Sequence, residues 1–218
     1  MTNRVFTGLF IAEGSSDMPL SDLVESIFFD KGLSVQIRRP DFGRLAGVAK
    51  DVRARLHAGR ELAGGAIDFF VVHRDADNAG SEARRSEIFA AADLVDAGAR
   101  VVPVIPIRMT EAWLLLDEMT IRTVAGNPRG RMPLNLPKLH EAENLADPKE
   151  FLSECLLRAA GVAGRRRERV VKRFSQHRRQ LLERLDRNGR VAELSGWKQL
   201  VADIEAVVEA CQPGRPAP

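Results

Sequence analysis

Apolar positions are grouped along the first 125 residues in a way that predicts alternating strands and helices. Two runs, at 5–12 and 66–72, are apolar almost throughout, as is typical of strands covered on both faces. After the first run, Leu20, Leu23 and Ile27 are spaced three and four residues apart, which predicts a helix. The predicted elements are strands at 5–12, 33–38, 66–72 and 100–107, and helices beginning near Asp17, at 43–58, at 81–97 and after Thr110. This order favours an α/β domain with a mostly parallel sheet flanked by helices.

The second half of the chain has a different pattern. Residues 125–137 contain three prolines and two glycines, which is typical of a linker or surface loop. From Leu139 onward the pattern is helical, with no strand signal. We therefore expect an α/β domain over residues 1–125 and a helical extension over residues 126–218 that packs on it. Within the first domain, Pro103 and Pro106 make a central, fully paired position less favourable for the fourth strand.

Composition indicates the class of protein and its cellular location. The chain has 218 residues and a formal net charge of only +3, so the whole molecule is not a polyelectrolyte. Cys155 and Cys211 are too few for a disulfide scaffold and fit a reducing cytosol. The apolar run at 5–12 is too short to span a bilayer and lacks a signal-peptide cleavage pattern. The sequence thus predicts a soluble, cytoplasmic protein without a membrane partner.

Acidic residues stand where the predicted strands end. Glu13 and Asp17 follow the first strand, Asp75 and Asp77 follow the third, and Glu111 opens the helix after the fourth. The carboxyl ends of parallel strands form the edge of a sheet where ligands bind, so neighbouring strands would bring these carboxylates together. A divalent cation would relieve their mutual repulsion, and hard cations such as Mg²⁺ prefer oxygen ligands.

Such a cluster of carboxylates favours metal-assisted phosphate chemistry. One Mg²⁺ or Mn²⁺ polarises a phosphoryl oxygen and a second lowers the pKa of the attacking water in two-metal phosphodiester cleavage. His73 and Arg74 adjoin the acids in sequence and are candidates for phosphate contact. Other chemistries lack a motif, since the chain has no Walker loop, no dinucleotide fingerprint and no Gly-x-Ser-x-Gly elbow.

The same residues resemble a known family. Glu13-Gly14 with Asp17, followed later by Asp75-x-Asp77, resemble the Toprim domain of topoisomerases, bacterial primases and the nucleases of the overcoming-lysogenization-defect family. A closer resemblance is to stand-alone Toprim-like proteins encoded beside AAA-type or ABC-type ATPases. The segments that carry it are Glu111-Ala112-Trp113-Leu114 with Asp117, Asp147-Pro148-Lys149 with Phe151-Leu152, and a helical tail with Trp197 and Leu200.

The resemblance implies a fold, a function and a set of roles. It implies a Toprim-like, Rossmann-like sheet and a nuclease that depends on Mg²⁺ or Mn²⁺, acting on DNA in preference to RNA in a phage-defence system with a separate ATPase subunit. Glu13, Asp75 and Asp77 would be the catalytic metal-binding residues, and Asp17 and Glu111 would complete the metal site.

One departure from the family pattern keeps a second hypothesis open. Similar proteins often have Asp-Arg-Asp directly after the strand, whereas this chain has His73-Arg74-Asp75. The histidine favours a non-catalytic Toprim-fold module that binds nucleic acid or a partner ATPase. A third hypothesis, hydrolysis of a small phosphate ester, uses the same carboxylates. Each acid also has a simpler interpretation, as a helix N-terminal acid or a turn residue, and Asp117 as a solvated surface residue.

Basic residues are concentrated in one segment. Residues 165–190 contain eleven Lys or Arg side chains and three acids, more cations than pairing along a helix requires. A basic helix face binds a phosphate backbone without sequence preference. The predicted nucleic-acid contacts are Arg74, Arg165, Arg166, Arg169, Lys172 and Arg173. Alternatively, the basic residues form the solvated face of a helix whose other face is apolar and includes Val171 and Leu181. They could also pair internally with the five acids of 141–154.

Overall fold

Four parallel strands form the sheet in the computed structural model, which describes residues 4–44 and 47–212. The strands are β1, Phe6–Ile11; β2, Val35–Arg38; β3, Phe69–His73; and β4, Arg100–Val104. Their order across the sheet is β2-β1-β3-β4, and every neighbouring pair is parallel. The expectation of an α/β fold with a parallel sheet flanked by helices is confirmed.

The two central strands, β1 and β3, are apolar because both of their faces are covered. In β1 five of the six residues are buried, and in β3 all five are. Their register pairs Gly8 with Phe69 and Ile11 with Val72. A side chain at Gly8 would place its Cβ 2.6 Å from the ring of Phe69, so glycine at this position lets the aromatic ring pack across the strand.

The fourth strand lies at the edge of the sheet, which suits its proline. Pro103 pairs in register with Val72 of β3 and has no strand on its other side. Proline removes one ladder donor, and an edge strand tolerates that loss. The strand ends at Val104, three residues earlier than the apolar pattern predicts.

Three helices, α1 to α3, contact the strands, and a fourth, α10, ends the described part of the chain. They are α1, Pro19–Asp30; α2, Val52–Ala63; α3, Ser81–Val95; and α10, Ser195–Cys211. Helices α2 and α3 pack against each other. The prediction of a helix over 43–58 was wrong in its bounds, because Asp51 accepts a hydrogen bond from Ala54 N and fixes the N-terminus of α2 at Val52.

The remaining helices follow β4 in sequence. They are α4, Glu111–Leu114; α5, Glu118–Val124; α6, Leu139–Ala142; α7, Pro148–Ala160; α8, Arg165–Lys172; and α9, Phe174–Glu183. No strand follows Val104 in the described ranges, so the expectation of a helical second half is confirmed. The helix after Thr110 ends at Leu114, and Asp117 accepts a hydrogen bond from Thr120 N and caps the next helix, α5.

The basic segment 165–190 contains two helices, α8 and α9. The first, α8, has no buried residue, and Val171 is 47% exposed. The second, α9, buries Leu181 and Leu182. The alternative of one apolar helix face across 165–190 is therefore wrong, because α8 ends at Lys172 and only α9 contributes leucines to a core.

Packing divides the chain into two units. The first comprises residues 1–74, 81–105 and 199–218, and the second comprises residues 75–80 and 106–198. Among the described helices, none combines the length and the apolar character needed to cross a membrane.

Candidate functional site

The strand order places a topological switch point in the first unit. The strand that follows β1 in sequence, β2, is its neighbour on one edge, and the next strand, β3, is its neighbour on the other edge. In open parallel sheets, ligands bind outside the carboxyl ends of the two strands where the order reverses. The predicted carboxylate cluster depends on β1 and β3 being neighbours, and they are. The residues after Ile11 and after Val72 therefore stand at the expected binding edge.

Two carboxylates follow β1 at this edge. Glu13 comes two residues after the strand, and its side chain is 52% exposed. Asp17 lies at the end of the 3₁₀ turn Ser15–Asp17, and its side chain is only 9% exposed. The carboxylate of Asp17 bends back over Gly14, where a Cβ would lie 3.6 Å from Oδ2. The first acid thus faces solvent and the second is held inside the turn.

Arg74 contributes positive charge from the end of β3. Its Nε lies 2.9 Å from Glu13 Oε1, and its Nη1 lies 3.6 Å from Glu87 Oε1. The contact with Glu13 lacks hydrogen-bond geometry, since Nε is buried and has no hydrogen-bond partner among the described residues. A buried donor without an acceptor costs about 1–3 kcal/mol. The charges of Glu13 and Glu87 therefore hold the guanidinium of Arg74 at the end of β3.

His73 is buried at the end of β3. The residue is 2% exposed, and its Nδ1 lies 3.9 Å from Asp17 Oδ2, beyond hydrogen-bond distance. The imidazole therefore supports the side of the turn that carries Asp17. The chain thus has an imidazole at the position where the proteins that it resembles in sequence often have a carboxylate.

Asp75 and Asp77 belong to the second unit, where both form hydrogen bonds. Asp75 Oδ1 accepts hydrogen bonds from Thr110 N at 2.9 Å and from Thr110 Oγ1 at 3.1 Å. Asp77 is exposed, adopts a left-handed φ of 46°, and its N–H donates to Arg108 O at 2.9 Å. Aspartate tolerates this backbone conformation better than most residues. Their role as metal ligands stays a prediction.

Glu111 forms a buried ion pair within the second unit. Arg178 Nε donates to Glu111 Oε1 at 2.7 Å, and the two residues are 6% and 3% exposed. The other carboxylate oxygen, Oε2, is buried without a hydrogen-bond partner in the described part of the chain. One oxygen of Glu111 is thus committed to Arg178, and the assignment of Glu111 as a metal ligand stays a prediction.

Two partners of the predicted site residues, Glu87 and Arg178, were not predicted. Glu87 lies on α3 and gave no signal in the sequence. Arg178 did give one, because it precedes Leu181 and Leu182 by three and four residues and so shares the apolar face of α9. A cation on the apolar face of a helix indicates a buried anionic partner.

Oxygen ligands for a hard cation are present in the first unit. Mg²⁺ is commonly held by one or two carboxylates, with waters and substrate phosphate completing its shell. Glu13 and Asp17 match that donor set, and the burial of Asp17 fits a carboxylate with a cationic neighbour. No group of three or more His, Cys, Asp or Glu side chains arranged for a metal occurs in residues 4–44 and 47–212. A cation here would take its remaining ligands from water and substrate.

A basic surface lies on α8 in the second unit. Its five cationic side chains and that of Arg173 are all exposed, and none has a carboxylate within 4 Å among the described residues. The acids of 141–154 make other contacts: Glu143 accepts from Ser195, and Glu154 accepts from Arg158. Internal pairing therefore does not neutralise α8.

The comparisons with known proteins add no identification. No protein-family model matches the chain, and neither the curated proteins nor the solved structures gave a match. The likeness to Toprim proteins thus stands on the residues quoted from the sequence alone.

Proposed function

We propose that the chain is a Toprim-like phosphodiesterase that depends on Mg²⁺ or Mn²⁺ and hydrolyses nucleic acid, DNA in preference to RNA. One observation carries the proposal. Two carboxylates follow β1 and the guanidinium of Arg74 follows β3 at the switch point of a parallel sheet, with 2.9 Å between Arg74 Nε and Glu13 Oε1. Carboxylate oxygens for a cation and an arginine for a phosphate are the groups that metal-assisted phosphoryl chemistry requires.

The carboxylates would hold the cation. In this proposal Glu13 and Asp17 supply its protein ligands in the first unit, and a bound cation would polarise a phosphoryl oxygen of the substrate. Glu13 is exposed enough to meet a large substrate, whereas buried Asp17 fixes the position of the pair. Asp75, Asp77 and Glu111 stay predicted ligands from the sequence.

Arg74 would bind the substrate phosphate. Its side chain is 14% exposed, so water competes weakly for the guanidinium. Arginine binds phosphate with charge-assisted hydrogen bonds that are about twice as strong as neutral ones. Glu13 and Glu87 hold the guanidinium at the strand end, which orients it before substrate arrives.

The exposed cations of α8 would bind the backbone of the nucleic acid elsewhere along its length. Because each phosphate neutralised releases a counterion, such binding weakens steeply as salt rises. Phe174 is the one aromatic residue in 165–190, so contacts by base stacking are not expected there. Binding to α8 should therefore depend on salt and little on base sequence.

A nuclease assay with matched variants tests this proposal. Supercoiled plasmid and single-stranded DNA would be incubated with protein and Mg²⁺ or Mn²⁺, and cleavage followed on gels. We expect Glu13→Gln and Asp17→Asn each to reduce cleavage by about a hundredfold or more, since each removes a metal ligand. Arg74→Gln should mainly raise KM.

Glu61→Gln is the control. Glu61 lies on α2 with a side chain that is 68% exposed, so the change removes the same charge far from the strand ends in sequence and leaves the fold intact. Equal cleavage by wild type, Glu13→Gln and Asp17→Asn would show that the activity comes from elsewhere, and the enzyme proposal would be abandoned.

A second candidate function is nucleic-acid binding without catalysis. The exposed cations of α8 and buried His73 in place of a carboxylate favour it. The discriminating variant carries Arg165→Gln, Arg166→Gln and Arg169→Gln. If this variant loses salt-dependent DNA binding while wild type binds DNA and never cleaves it, the binding module is the better description. A partner ATPase stays a prediction from the resemblance.

A further inference from the structure

The loop that follows α5 carries two arginines without partners. Its residues 126–131 read Gly-Asn-Pro-Arg-Gly-Arg. Arg129 and Arg131 are both exposed, and neither side chain forms a hydrogen bond or an ion pair with any residue that the structure describes. Contacts of this loop within the second unit decide where the two cations lie.

Hydrogen bonds hold the loop against α7 at two points. Asn127 Nδ2 donates to Ala159 O, in the last turn of the helix, at 2.9 Å. Farther along the chain Leu134 is 1% exposed, and its carbonyl oxygen accepts from Arg158 Nη1 at 3.2 Å. The two arginines of the loop lie between these anchor points in sequence, so the backbone that carries them is fixed on both sides. Binding to a fixed loop costs less ordering than binding to a free one.

Two glycines allow the close approach of the loop to the helix. A Cβ at Gly130 would lie 2.6 Å from Asn127 Nδ2, closer than real Cβ atoms come to a neighbouring atom. A Cβ at Gly161, the residue that ends α7, would lie 3.5 Å from the same nitrogen. The amide of Asn127 is thus close both to the middle of the loop and to the C-terminus of α7.

The basic helix α8 begins a short distance after this contact. Its first residue, Arg165, follows Gly161 by four positions, so the two residues lie at most about 14 Å apart. Helices α7 and α8 also pack against each other. The arginines of the loop and the cations of α8 therefore lie at the same end of α7.

Positive charge is concentrated in these two segments, which we call the loop-and-helix surface: residues 126–131 and 165–173. All of its cationic residues are exposed, and they are Arg129, Arg131, Arg165, Arg166, Arg167, Arg169, Lys172 and Arg173. Its one acid is Glu168. A surface with eight cations against one acid favours a polyanion as its partner.

Acids on the neighbouring helices do not neutralise this surface. On α5, Glu118 pairs with Arg122 at 2.6 Å, and on α7, Glu154 pairs with Arg158 at 2.8 Å. Each of these pairs adds no net charge. Glu150 lies in the first turn of α7, at the end of the helix away from the loop. The loop-and-helix surface therefore keeps its excess of positive charge.

We propose that the loop 126–131 and α8 form one binding surface for the phosphate backbone of DNA, and that Arg129 and Arg131 extend the contact beyond α8. The inference rests on the proposed nucleic-acid substrate and adds a second segment to its binding surface. Arginine binds phosphate through charge-assisted hydrogen bonds and reads no base sequence there. Because α8 alone is about 12 Å long, contact with both segments requires a polynucleotide and not a small phosphate ester.

DNA binding at several salt concentrations tests the inference without requiring cleavage. Fluorescence anisotropy would follow the full chain binding to a labelled duplex of about 20 base pairs, in the absence of divalent cations. Arg129→Gln with Arg131→Gln removes two phosphate contacts, so the slope of log K against log salt concentration should become shallower by about 1.8. The same variant should raise the Kd at about 0.1 M salt by about tenfold or more.

A matched control separates this surface from general attraction. Lys149→Gln with Lys198→Gln removes two exposed cations from the second unit outside both segments, and it should bind DNA with the slope of wild type. Equal thermal unfolding midpoints would show that both double variants fold. A loss of binding by the control equal to that of Arg129→Gln with Arg131→Gln would overturn the inference.

Variants of α8 distinguish failure of this inference from failure of the proposed function. If Arg129→Gln with Arg131→Gln binds as wild type does, while Arg165→Gln with Arg166→Gln and Arg169→Gln weakens binding, the loop has no part in the surface and the proposed contact by α8 stands. If wild type does not bind DNA at any salt concentration, the proposed substrate and the inference both fail.

Discussion

Breaking the buried pair of Glu111 and Arg178 should destabilise the second unit strongly. The pair joins α4 to α9, with 2.7 Å between Arg178 Nε and Glu111 Oε1, and both residues are at least nine-tenths buried. Replacement of Arg178 by Met keeps most of the side-chain volume and removes the charge. It leaves the carboxylate of Glu111 in a buried position without its guanidinium.

The structure sets the size of this effect. At an effective dielectric constant of about 20, unit charges 2.7 Å apart attract each other by about 6 kcal/mol. The cost of desolvating both charges offsets much of this attraction, so the intact pair contributes little net stability. Removing one partner leaves the desolvation cost of the other, and we expect Arg178→Met to lower the free energy of unfolding by about 3–5 kcal/mol.

Urea denaturation of four proteins measures the effect. They are wild type, Arg178→Met, Glu111→Leu and the double variant, which should recover part of the lost stability because it removes both charges of this pair. Arg179→Met is the control: its pair with Glu183 is exposed, and its loss should cost no more than about 0.5 kcal/mol. A loss below about 1 kcal/mol for Arg178→Met, or a double variant as unstable as the sum of the singles, would refute this reasoning.

Two titrating residues give further predictions. Burial raises the thiol pKa of Cys155 to about 11, so about one thiol in a thousand is ionised near pH 8. Native protein should therefore react with about one equivalent of a disulfide reagent, through the part-exposed thiol of Cys211, and unfolded protein with two. Rapid reaction of both thiols in the native protein would contradict the burial of Cys155. Burial, and then the charge of Arg173, lower the pKa of His177 below 6.5. The folded state thus binds fewer protons than the unfolded state, and stability should fall as pH drops through 6.5 towards the folded pKa. Urea denaturation of wild type and His177→Gln at several pH values checks this, and equal slopes would contradict it.

The sequence predicted the sheet because its signals are local. The apolar run at 66–72 and the helix spacing after Asp17 specify single elements, and short connections limit how parallel strands are ordered. The strand neighbours needed for the candidate site, β1 and β3, were confirmed. Helix bounds failed where a single side chain decided them, as Asp51 does for α2 and Asp117 does for α5.

Partners of the site residues were harder to predict because they are remote in sequence. Glu87 contacts Arg74, and Arg178 contacts Glu111 across 67 positions, and no spacing rule links such pairs. Whether Nε of Arg74 forms a hydrogen bond likewise depends on the angle of its contact with Glu13, which the residue types do not determine. The position of the 126–131 loop depends on the hydrogen bond from Asn127 to α7, which the pattern of residues does not specify.

Anomalous scattering from a crystal grown with Mn²⁺ tests the proposed function most directly. The account predicts a manganese peak about 2.1 Å from carboxylate oxygens of Glu13 and Asp17, and no peak there in crystals of the Glu13→Gln, Asp17→Asn double variant. A wild-type map without manganese at these two carboxylates would contradict the account.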